Sequence, residues 1–336
     1  MISYNPKDWF TFIFKIHKTE TLQRLWPLLI TVGMYSLLLN WLETALFSDT
    51  SLKRSQNLGV VYSILGFTLS LFLVFRTNTA YDRWWEGRKL WGQLINHSRN
   101  LFLLINTLEA SQINPSDSDY RSDSDSGSNS FADRVSNPSN SNNNPETSSP
   151  ILAKIHETRI LIALFPHFLR MHLRDLRFLQ NAEIPATMGL EKSMYEKLSP
   201  ETKEKIIHAQ HQPMKIADHI HQNLNALCST NQLIMHSEAI NGFMNISGAC
   251  ERIKNTPIPF NYSVFIKKFI FIYVMLFPLV YSSQLGYLVA IVTMFILYVL
   301  ASIELIAEEI ENPFNGDEND LPLEQFSHTI VKNAQN

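Results

Sequence analysis

The side chains best able to bind a metal or move a proton are concentrated between residues 151 and 230, where seven histidines fall. Four of them, His208, His211, His219 and His221, lie close together in the chain, and neutral imidazoles are common metal ligands. Their spacing matches neither the Glu-x-x-His pairs of di-iron helices nor the His-Glu-x-x-His pattern of zinc enzymes. We therefore expect polar helix faces here, and a membrane-bound metal-dependent enzyme remains the less favoured alternative.

The rest of the sequence offers little catalytic chemistry. It shows no nucleophile-and-base pair and no phosphate-binding loop, so we expect a protein that is not an enzyme. The two cysteines, Cys228 and Cys250, form no Cys-x-x-Cys pair, which argues against a disulfide framework or a thiolate zinc site. A net charge of −3 without a basic excess also argues against nucleic acid as a partner.

A second set of side chains is apolar and regularly spaced. Phe67, Leu71 and Phe75 recur every four residues, so they share one face of a helix over roughly 12 Å. One turn further along the same face come the polar residues Asn78 and Asp82. Spacing alone favours an apolar stripe that is buried against a neighbouring helix.

The element that carries this stripe is the stretch QNLGVVYSILGFTLSLFLVFRTNTAYDRWWEGRKLW, residues 56–91. Its first half, Leu58 to Phe75, has no charge and could cross most of a hydrocarbon layer about 30 Å thick. No Pro or Gly falls between Arg76 and Gly87. The pattern predicts one long helix that leaves the membrane and continues into water.

Three further apolar stretches, residues 25–47, 264–281 and 286–306, predict a first, third and fourth membrane span. The expected fold is thus an all-α membrane protein with four transmembrane helices, embedded in a lipid bilayer, plus a cytoplasmic helical domain. Residues 1–24 are amphipathic and basic and lack a signal-peptide cleavage site, which is typical of an interfacial helix. The distribution of Lys and Arg around the spans places both termini in the cytoplasm.

The region between the second and third spans divides into two parts. Residues 106–150 are rich in Ser, Asn and Asp, and we expect a disordered insert because such a segment buries too little apolar surface. Residues 151–258 are predicted to form a helical region, with amphipathic helices near 151–181 and 200–230. A membrane-anchored scaffold whose insert recruits partners is a third class of function for this chain.

Two motifs carry a resemblance to a known family. The stretch SLFLVFRTNTAYDRWWEGRKLWGQLIN resembles the second transmembrane helix of bacterial bestrophins, including the R-W-W at Arg83, Trp84 and Trp85 that animal bestrophins share. The segment IENPFNGDENDLPL, residues 310–323, resembles the N-P-F and acidic run that follow the last bestrophin helix. The resemblance implies a homo-pentameric ion channel in the bacterial inner membrane, followed by an acidic C-terminal segment at residues 311–336.

The same resemblance assigns roles to particular residues. It makes Phe67, Leu71 and Phe75 the apolar neck of the pore, with Asn78 and Asp82 below it. Three stacked apolar rings of this kind can expel water and gate conduction. The inward edges of Phe rings favour chloride and other small anions, whereas Asp82 favours a cation-selective channel of the same architecture.

Three more assignments follow from the family. A second constriction, the cytoplasmic aperture, is expected at Ile184 and Ala186, and Arg83, Trp84 and Trp85 are expected to serve architecture. The acidic loop resembles the calcium clasp of animal bestrophins, so calcium is an expected but not required ligand. Oxygen donors for it would come from Asn312, Asp317 and Asp320. A solvated acidic loop that docks at a subunit interface is the alternative.

Overall fold

The computed structural model describes residues 20–46, 51–113, 145–176, 189–317 and 319–335, and this part of the chain is all-α, without strands. Its helices are α1 (Glu20–Leu46), α2 (Ser51–Ile113), α3 (Pro145–Leu173), α4 (Gly189–Glu196), α5 (Pro200–His208), α6 (Gln212–Leu227), α7 (Thr230–Met235), α8 (Ser237–Asn255), α9 (Phe260–Leu285), α10 (Leu288–Glu311) and α11 (Leu323–Asn333).

The chain forms two compact units. The membrane unit comprises residues 1–88 and 252–321, and the second unit comprises residues 89–251 and 322–336. The membrane unit holds the helices that are long and apolar enough to cross a bilayer: α1, the first part of α2, α9 and α10. The four spans predicted from the sequence are therefore confirmed.

Helix α2 is unbroken over 63 residues. At 1.5 Å per residue it is about 95 Å long, roughly three times the thickness of a hydrocarbon layer. Only a stretch near its start, from Leu58 to Phe75, is apolar enough for the bilayer. The prediction of one long helix that extends beyond the membrane is confirmed.

One face of α2 is buried along most of its length. The buried positions follow one another at intervals of three or four residues, apart from one interval of seven between Ala80 and Gly87, which is the spacing of a single helical face. They are Leu69, Leu73, Arg76, Ala80, Gly87, Trp91, Leu94, Ser98, Leu101, Ile105 and Leu108. The apolar span and its polar continuation are thus held by one continuous stripe, which switches from aliphatic to mixed side chains at Arg76.

Within the membrane unit, α2 packs on α9 through side chains. Leu69 and Leu73 share a core cluster with Ile270 of α9, and α1 and α10 pack together beside α9. A Cβ atom added at Gly66 would lie 2.6 Å from the hydroxyl oxygen of Tyr273, so the absence of a side chain at Gly66 leaves room for the end of the Tyr273 ring. The neighbouring Tyr62 ring stacks on the Tyr273 ring, with centroids 4.2 Å apart.

The second unit is arranged around α3. Residues 161–169 of this helix are all buried, as expected for a helix that is surrounded by others. Helices α6, α11 and α4 pack on it, and α5 packs on α6. This unit corresponds to most of the predicted helical region.

The predicted helix at 200–230 is wrong in one respect, because the structure divides it into α5 and α6. Helix α6 starts anew at His211, whose imidazole Nδ1 accepts a hydrogen bond from the Met214 backbone N–H at 3.1 Å. Pro213 occupies the first turn of α6. A proline at that position would clash with the carbonyl of a continuing helix, whereas it is well tolerated in the first turn of a new one, which favours a break just before it.

The boundaries predicted for the disordered insert also need correction. Residues 106–113 complete α2 and residues 145–150 begin α3, so both ends of the segment assigned to 106–150 are helical. The apolar residue Leu108 in this stretch is buried, which continues the face described above. Residues 114–144 lie outside the described residues, as does the predicted interfacial helix up to residue 19.

His167 on α3 gives the second unit a pH dependence that can be tested. The imidazole is 1% exposed, and its Nδ1 accepts a hydrogen bond from Arg170 at 2.9 Å. Burial, reinforced by the Arg170 charge, lowers the pKa of His167 from 6.5 to about 3. Between these values the unfolded chain binds more protons than the folded one, so stability falls as pH falls through this window.

We predict that the wild type loses about 1 kcal/mol of stability per pH unit through this group between pH 6 and 4. His167→Gln removes the titration but keeps an acceptor for Arg170, so its stability should depend less on pH. Thermal unfolding of both proteins in detergent at several pH values measures the difference. Parallel pH profiles for the two proteins would contradict the prediction.

Candidate functional site

The apolar stripe on α2 lies on the face of the helix that the protomer leaves exposed. Phe67, Leu71 and Phe75 are 73%, 45% and 54% exposed, whereas Leu69 and Leu73 on the opposite face are 1% and 3% exposed. Burial against a neighbouring helix, the interpretation favoured by spacing alone, is therefore wrong for the described part of this chain. These three side chains are available to water, to lipid or to another copy of the protein.

The polar residues that follow share this exposed face. Asn78 and Asp82 are both exposed, while Ala80 between them is fully buried on the other side of α2. The helix thus presents, in order, three apolar side chains, an amide and a carboxylate. The structure places all five predicted residues along one side of one helix.

Buried ion pairs fix which face of α2 points outward. Arg76 is 1% exposed, and its Nη2 lies 2.8 Å from Glu311 Oε2, while its Nε donates to Glu304 Oε1 at 3.4 Å. Both glutamates belong to α10, and Glu311 Oε1 also accepts the Ile258 backbone N–H at 2.7 Å. Breaking a buried pair strands a charge at a cost of about 3–5 kcal/mol, so these contacts resist rotation of α2.

Sequence reasoning missed Arg76 and Glu304. A signal was present, because Arg76 continues the buried spacing of Leu69 and Leu73, and Glu304 lies within an otherwise apolar span. Charged residues in such positions are almost always paired with one another. The separation of 228 positions between the partners could not be read from either motif.

Arg83 joins α2 to the ends of two other helices. Its guanidinium donates three hydrogen bonds, through Nε to the Glu311 carbonyl at 2.9 Å, through Nη1 to the Thr256 carbonyl at 2.6 Å and through Nη2 to the Ile253 carbonyl at 2.5 Å. The planar fork of an arginine suits convergent carbonyls of this kind. These acceptors lie at the C-terminal ends of α8 and α10, where helices leave carbonyls without intrahelical partners.

The two tryptophans of the R-W-W motif differ in their surroundings. The half-buried Trp84 donates from its indole Nε1 to the Asn319 carbonyl at 3.1 Å, which ties α2 to the loop after α10. Trp85 is exposed, and its ring lies nearly parallel to that of Tyr81, with centroids 6.5 Å apart. Arg83 and Trp84 therefore make internal contacts, and Trp85 contributes to an aromatic surface.

The acidic loop is closed by one of its own carboxylates. Asp320 is buried, and its Oδ2 accepts the backbone N–H groups of Gly316 at 2.6 Å and Asp317 at 2.9 Å. Gly316 has φ 106°, a conformation that favours glycine. Asn312 Nδ2 donates to the side-chain oxygen of Asn315 at 2.9 Å.

This geometry gives calcium no assembled set of ligands within the described residues. Asp317 is exposed, while one carboxylate oxygen of Asp320 already accepts hydrogen bonds from the backbone. The loop brings no three His, Cys, Asp or Glu ligand atoms within 4.8 Å of one another among the residues described, and Glu318 lies outside them. These residues fit calcium poorly as they are arranged, and the site at Asn312, Asp317 and Asp320 stays a prediction.

The predicted aperture residues Ile184 and Ala186 fall in residues 177–188, outside the described residues, so that constriction also stays a prediction. The four histidines that lie close together in the sequence do not form one cluster among the described residues. His208 is exposed and His221 interacts with Asn225, whereas His211 lies beside His172 and Glu251 instead. The partners of His211 come from α3 and α8, so their proximity depends on tertiary packing.

These features define the class of protein. The chain belongs to the bacterial and fungal bestrophin family, whose family model, described as "Bacterial/Fungal Bestrophin protein", matches residues 1–336. The family predicted from the two motifs is thus confirmed, and the chain is an integral membrane protein.

Particular relatives bear related names. A voltage-dependent anion channel-forming protein of Nostoc sp. is 30% identical over 333 residues, covering 97% of this chain and 91% of the relative. The voltage-dependent anion channel-forming protein YneE of Escherichia coli K12 is 28% identical over 273 residues, covering 80% of this chain and 73% of the relative.

A solved structure shares the fold. A variant of a bacterial bestrophin homolog from Klebsiella pneumoniae aligns with a TM-score of 0.64 at 21% identity, covering 91% of this chain and 97% of that one. The fold is therefore that of the bestrophins, as the sequence resemblance implied.

The contacts of Arg83 predict a large effect of its removal on stability. Arg83→Gln leaves at least two of the three carbonyls without their donor, which we expect to cost roughly 2–4 kcal/mol. Thermal unfolding and size-exclusion chromatography in detergent measure the loss. Lys89→Ala is the matched control, because it removes an exposed positive charge from the same helix. Equal thermal stability of the two variants would show that the Arg83 hydrogen bonds do not stabilise the protein.

Proposed function

We propose that this protein is a bestrophin-like channel that passes chloride and other small anions, with Phe67, Leu71 and Phe75 lining the narrow neck of its pore. The single observation that carries the proposal is the exposure of this stripe on a membrane-spanning helix whose opposite face is buried. Membership of the bestrophin family supports it, as do relatives in Nostoc sp. and Escherichia coli that are named as anion channel-forming proteins.

An oligomer is needed to make such a pore. One exposed stripe on one helix cannot enclose a channel, so several copies must arrange their α2 helices around a common axis. We propose a homo-pentamer, the number that the bestrophin resemblance implies. Each of the three residues then contributes a ring of five side chains, and the rings are stacked about one helical turn apart.

The chemistry of these rings accounts for gating and permeation. An apolar constriction binds water weakly, so a small decrease in diameter empties it and blocks ions. The edges of the Phe67 and Phe75 rings carry partial positive charge, which favours an anion that sheds its water easily. Conduction needs no catalytic group and no cofactor in this account.

Asp82 is the observation that favours a second candidate, a cation-selective channel of the same architecture. Its exposed carboxylate lies on the same face of α2 as the neck residues. In a pentamer it would form a ring of five negative charges, which attracts cations and repels anions. We also propose that the channel lies in the bacterial inner membrane, as the bestrophin resemblance implies, with both termini in the cytoplasm, as the distribution of Lys and Arg around the spans favours.

The neck can be tested by reducing its bulk. In the variant with Phe67→Ala, Leu71→Ala and Phe75→Ala, the rings widen and hold water, so we expect currents at least several-fold larger. The fold should change little, because the removed side chains are exposed in the protomer. Current in planar bilayers and the size-exclusion profile are measured together on the purified protein.

The opposite face of α2 supplies the matched control. Leu69→Ala with Leu73→Ala removes buried side chains, at a cost of about 2–5 kcal/mol for each, and should destabilise the protein without increasing the current. If the triple neck variant is destabilised and carries no larger current, the stripe is a packing surface and the proposed pore is wrong.

Selectivity is tested at the carboxylate. Asp82→Asn removes the negative ring while keeping the size of the side chain, so the reversal potential under a KCl gradient should move toward the chloride equilibrium potential. Glu201→Gln, which neutralises an exposed carboxylate on α5, should leave the reversal potential unchanged. A wild-type reversal potential near that of potassium would favour the cation channel over the anion channel.

A further inference from the structure

Three ligand-type side chains from three separate helices meet in the second unit. His172 lies on α3, His211 precedes the first turn of α6, and Glu251 lies on α8. One ligand atom of each lies within 4.8 Å of the other two. All three residues are half-buried, so the cluster is neither sealed in the core nor fully solvated.

The distances within this cluster are close to those around a small dication. His211 Nε2 lies 2.9 Å from Glu251 Oε1, and His172 Nε2 lies 3.4 Å from the same oxygen. Ligand atoms around a tetrahedral zinc ion with bonds of 2.0–2.1 Å are separated by about 3.3 Å. An ion could therefore enter after side-chain movements of a few tenths of an ångström to about one ångström.

The groups around Glu251 favour its ionised carboxylate, which is the form that binds a metal ion. Burial tends to raise the pKa of the Glu251 carboxyl, but hydrogen bonds from His211 and Ser247 and the nearby imidazoles hold it below its ordinary value. Ser247 Oγ donates to Glu251 Oε1 at 2.9 Å, which orients the carboxylate. Such outer hydrogen bonds commonly orient the ligands of metal sites.

We propose that His172, His211 and Glu251 form a binding site for a zinc-like transition-metal dication, with water as the fourth ligand. Two imidazole nitrogens and one carboxylate are a ligand set that suits Zn²⁺ and poorly suits Mg²⁺ or Ca²⁺, which prefer oxygen. The site is separate from the neck on α2 and from the acidic loop, and it does not depend on the function proposed above.

The proton positions predict a specific consequence of binding. Because His211 Nδ1 accepts the Met214 N–H, the proton of the neutral ring is on Nε2, from which it is donated to Glu251. An ion at Nε2 displaces that proton, and the neutral ring must then carry its proton on Nδ1. Met214 N–H loses its acceptor, so metal binding opens the capping hydrogen bond of α6.

Binding would join α3, α6 and α8 at one point. Because the ion requires the folded arrangement of its three ligands, it stabilises the folded state in proportion to its occupancy. The expected readouts are thus a bound stoichiometry of one ion per protomer, a higher thermal unfolding temperature and a local loss of protection at Met214.

The site is tested with zinc and full-length protein in detergent, after removal of any histidine tag and of contaminating metal. Isothermal titration with ZnCl₂ should show one ion per protomer for the wild type. His172→Ala and Glu251→Gln should each weaken binding at least tenfold. Glu251→Gln keeps an oxygen for His211 and Ser247, so it retains the fold even if His172→Ala does not. His208→Ala removes an exposed histidine near the site in sequence and should bind zinc as the wild type does.

Three results would overturn the proposal. The first is zinc binding of equal affinity in the wild type and in Glu251→Gln, and the second is no zinc binding by the wild type at all. The third is amide hydrogen exchange in which the Met214 N–H keeps its protection in the zinc-saturated protein, since His211 Nε2 is then not a ligand. Loss of binding in Glu251→Gln, together with faster exchange at Met214, supports the site.

Discussion

The buried ion pairs between Arg76 and the two glutamates of α10 determine what the rest of α2 can do. A guanidinium with almost no exposure at the end of an apolar span is tolerable only while Glu304 and Glu311 remain beside it. Rotation of the helix by a quarter turn would leave these buried charges without partners in a medium of low dielectric constant. The face that bears Phe67 and Phe75 is therefore turned outward because of contacts made on the other side of the helix.

This arrangement leaves one face of α2 to stabilise the protomer and the other face for the proposed pore. The buried face of α2 packs on its own protomer through Leu69 and Leu73 and through the Tyr273 ring beside Gly66, and its continuation is held by Arg83. The exposed face makes no such contribution, so its side chains are free to be selected for the properties of a pore. An apolar surface exposed on one protomer is also what an oligomer or a lipid layer would cover.

The sequence predicted those parts of the fold that depend on local pattern. Hydropathy located the spans, and the absence of Pro and Gly after Arg76 indicated that α2 continues. Periodicity could not decide whether Phe67, Leu71 and Phe75 are buried, because an apolar stripe has the same spacing in either case; the family resemblance and the packing of α9 were needed. The sequence pattern predicted one helix over residues 200–230 and not the break before α6, although Pro213 is a residue typical of the first turn of a new helix. The group of His172, His211 and Glu251 was unpredictable, since three helices bring it together.

The exposed face of α2 must border water rather than lipid if it lines a pore, and thiol accessibility measures this directly. In protein with Cys228 and Cys250 replaced by serine, single substitutions Leu71→Cys and Leu73→Cys place a thiol on the exposed and on the buried face of one turn of α2. A charged, water-soluble methanethiosulfonate reagent applied during current recording should change the conductance of Leu71→Cys and leave that of Leu73→Cys unchanged. Modification that changes the current of Leu73→Cys but not that of Leu71→Cys would contradict a water-lined exposed face.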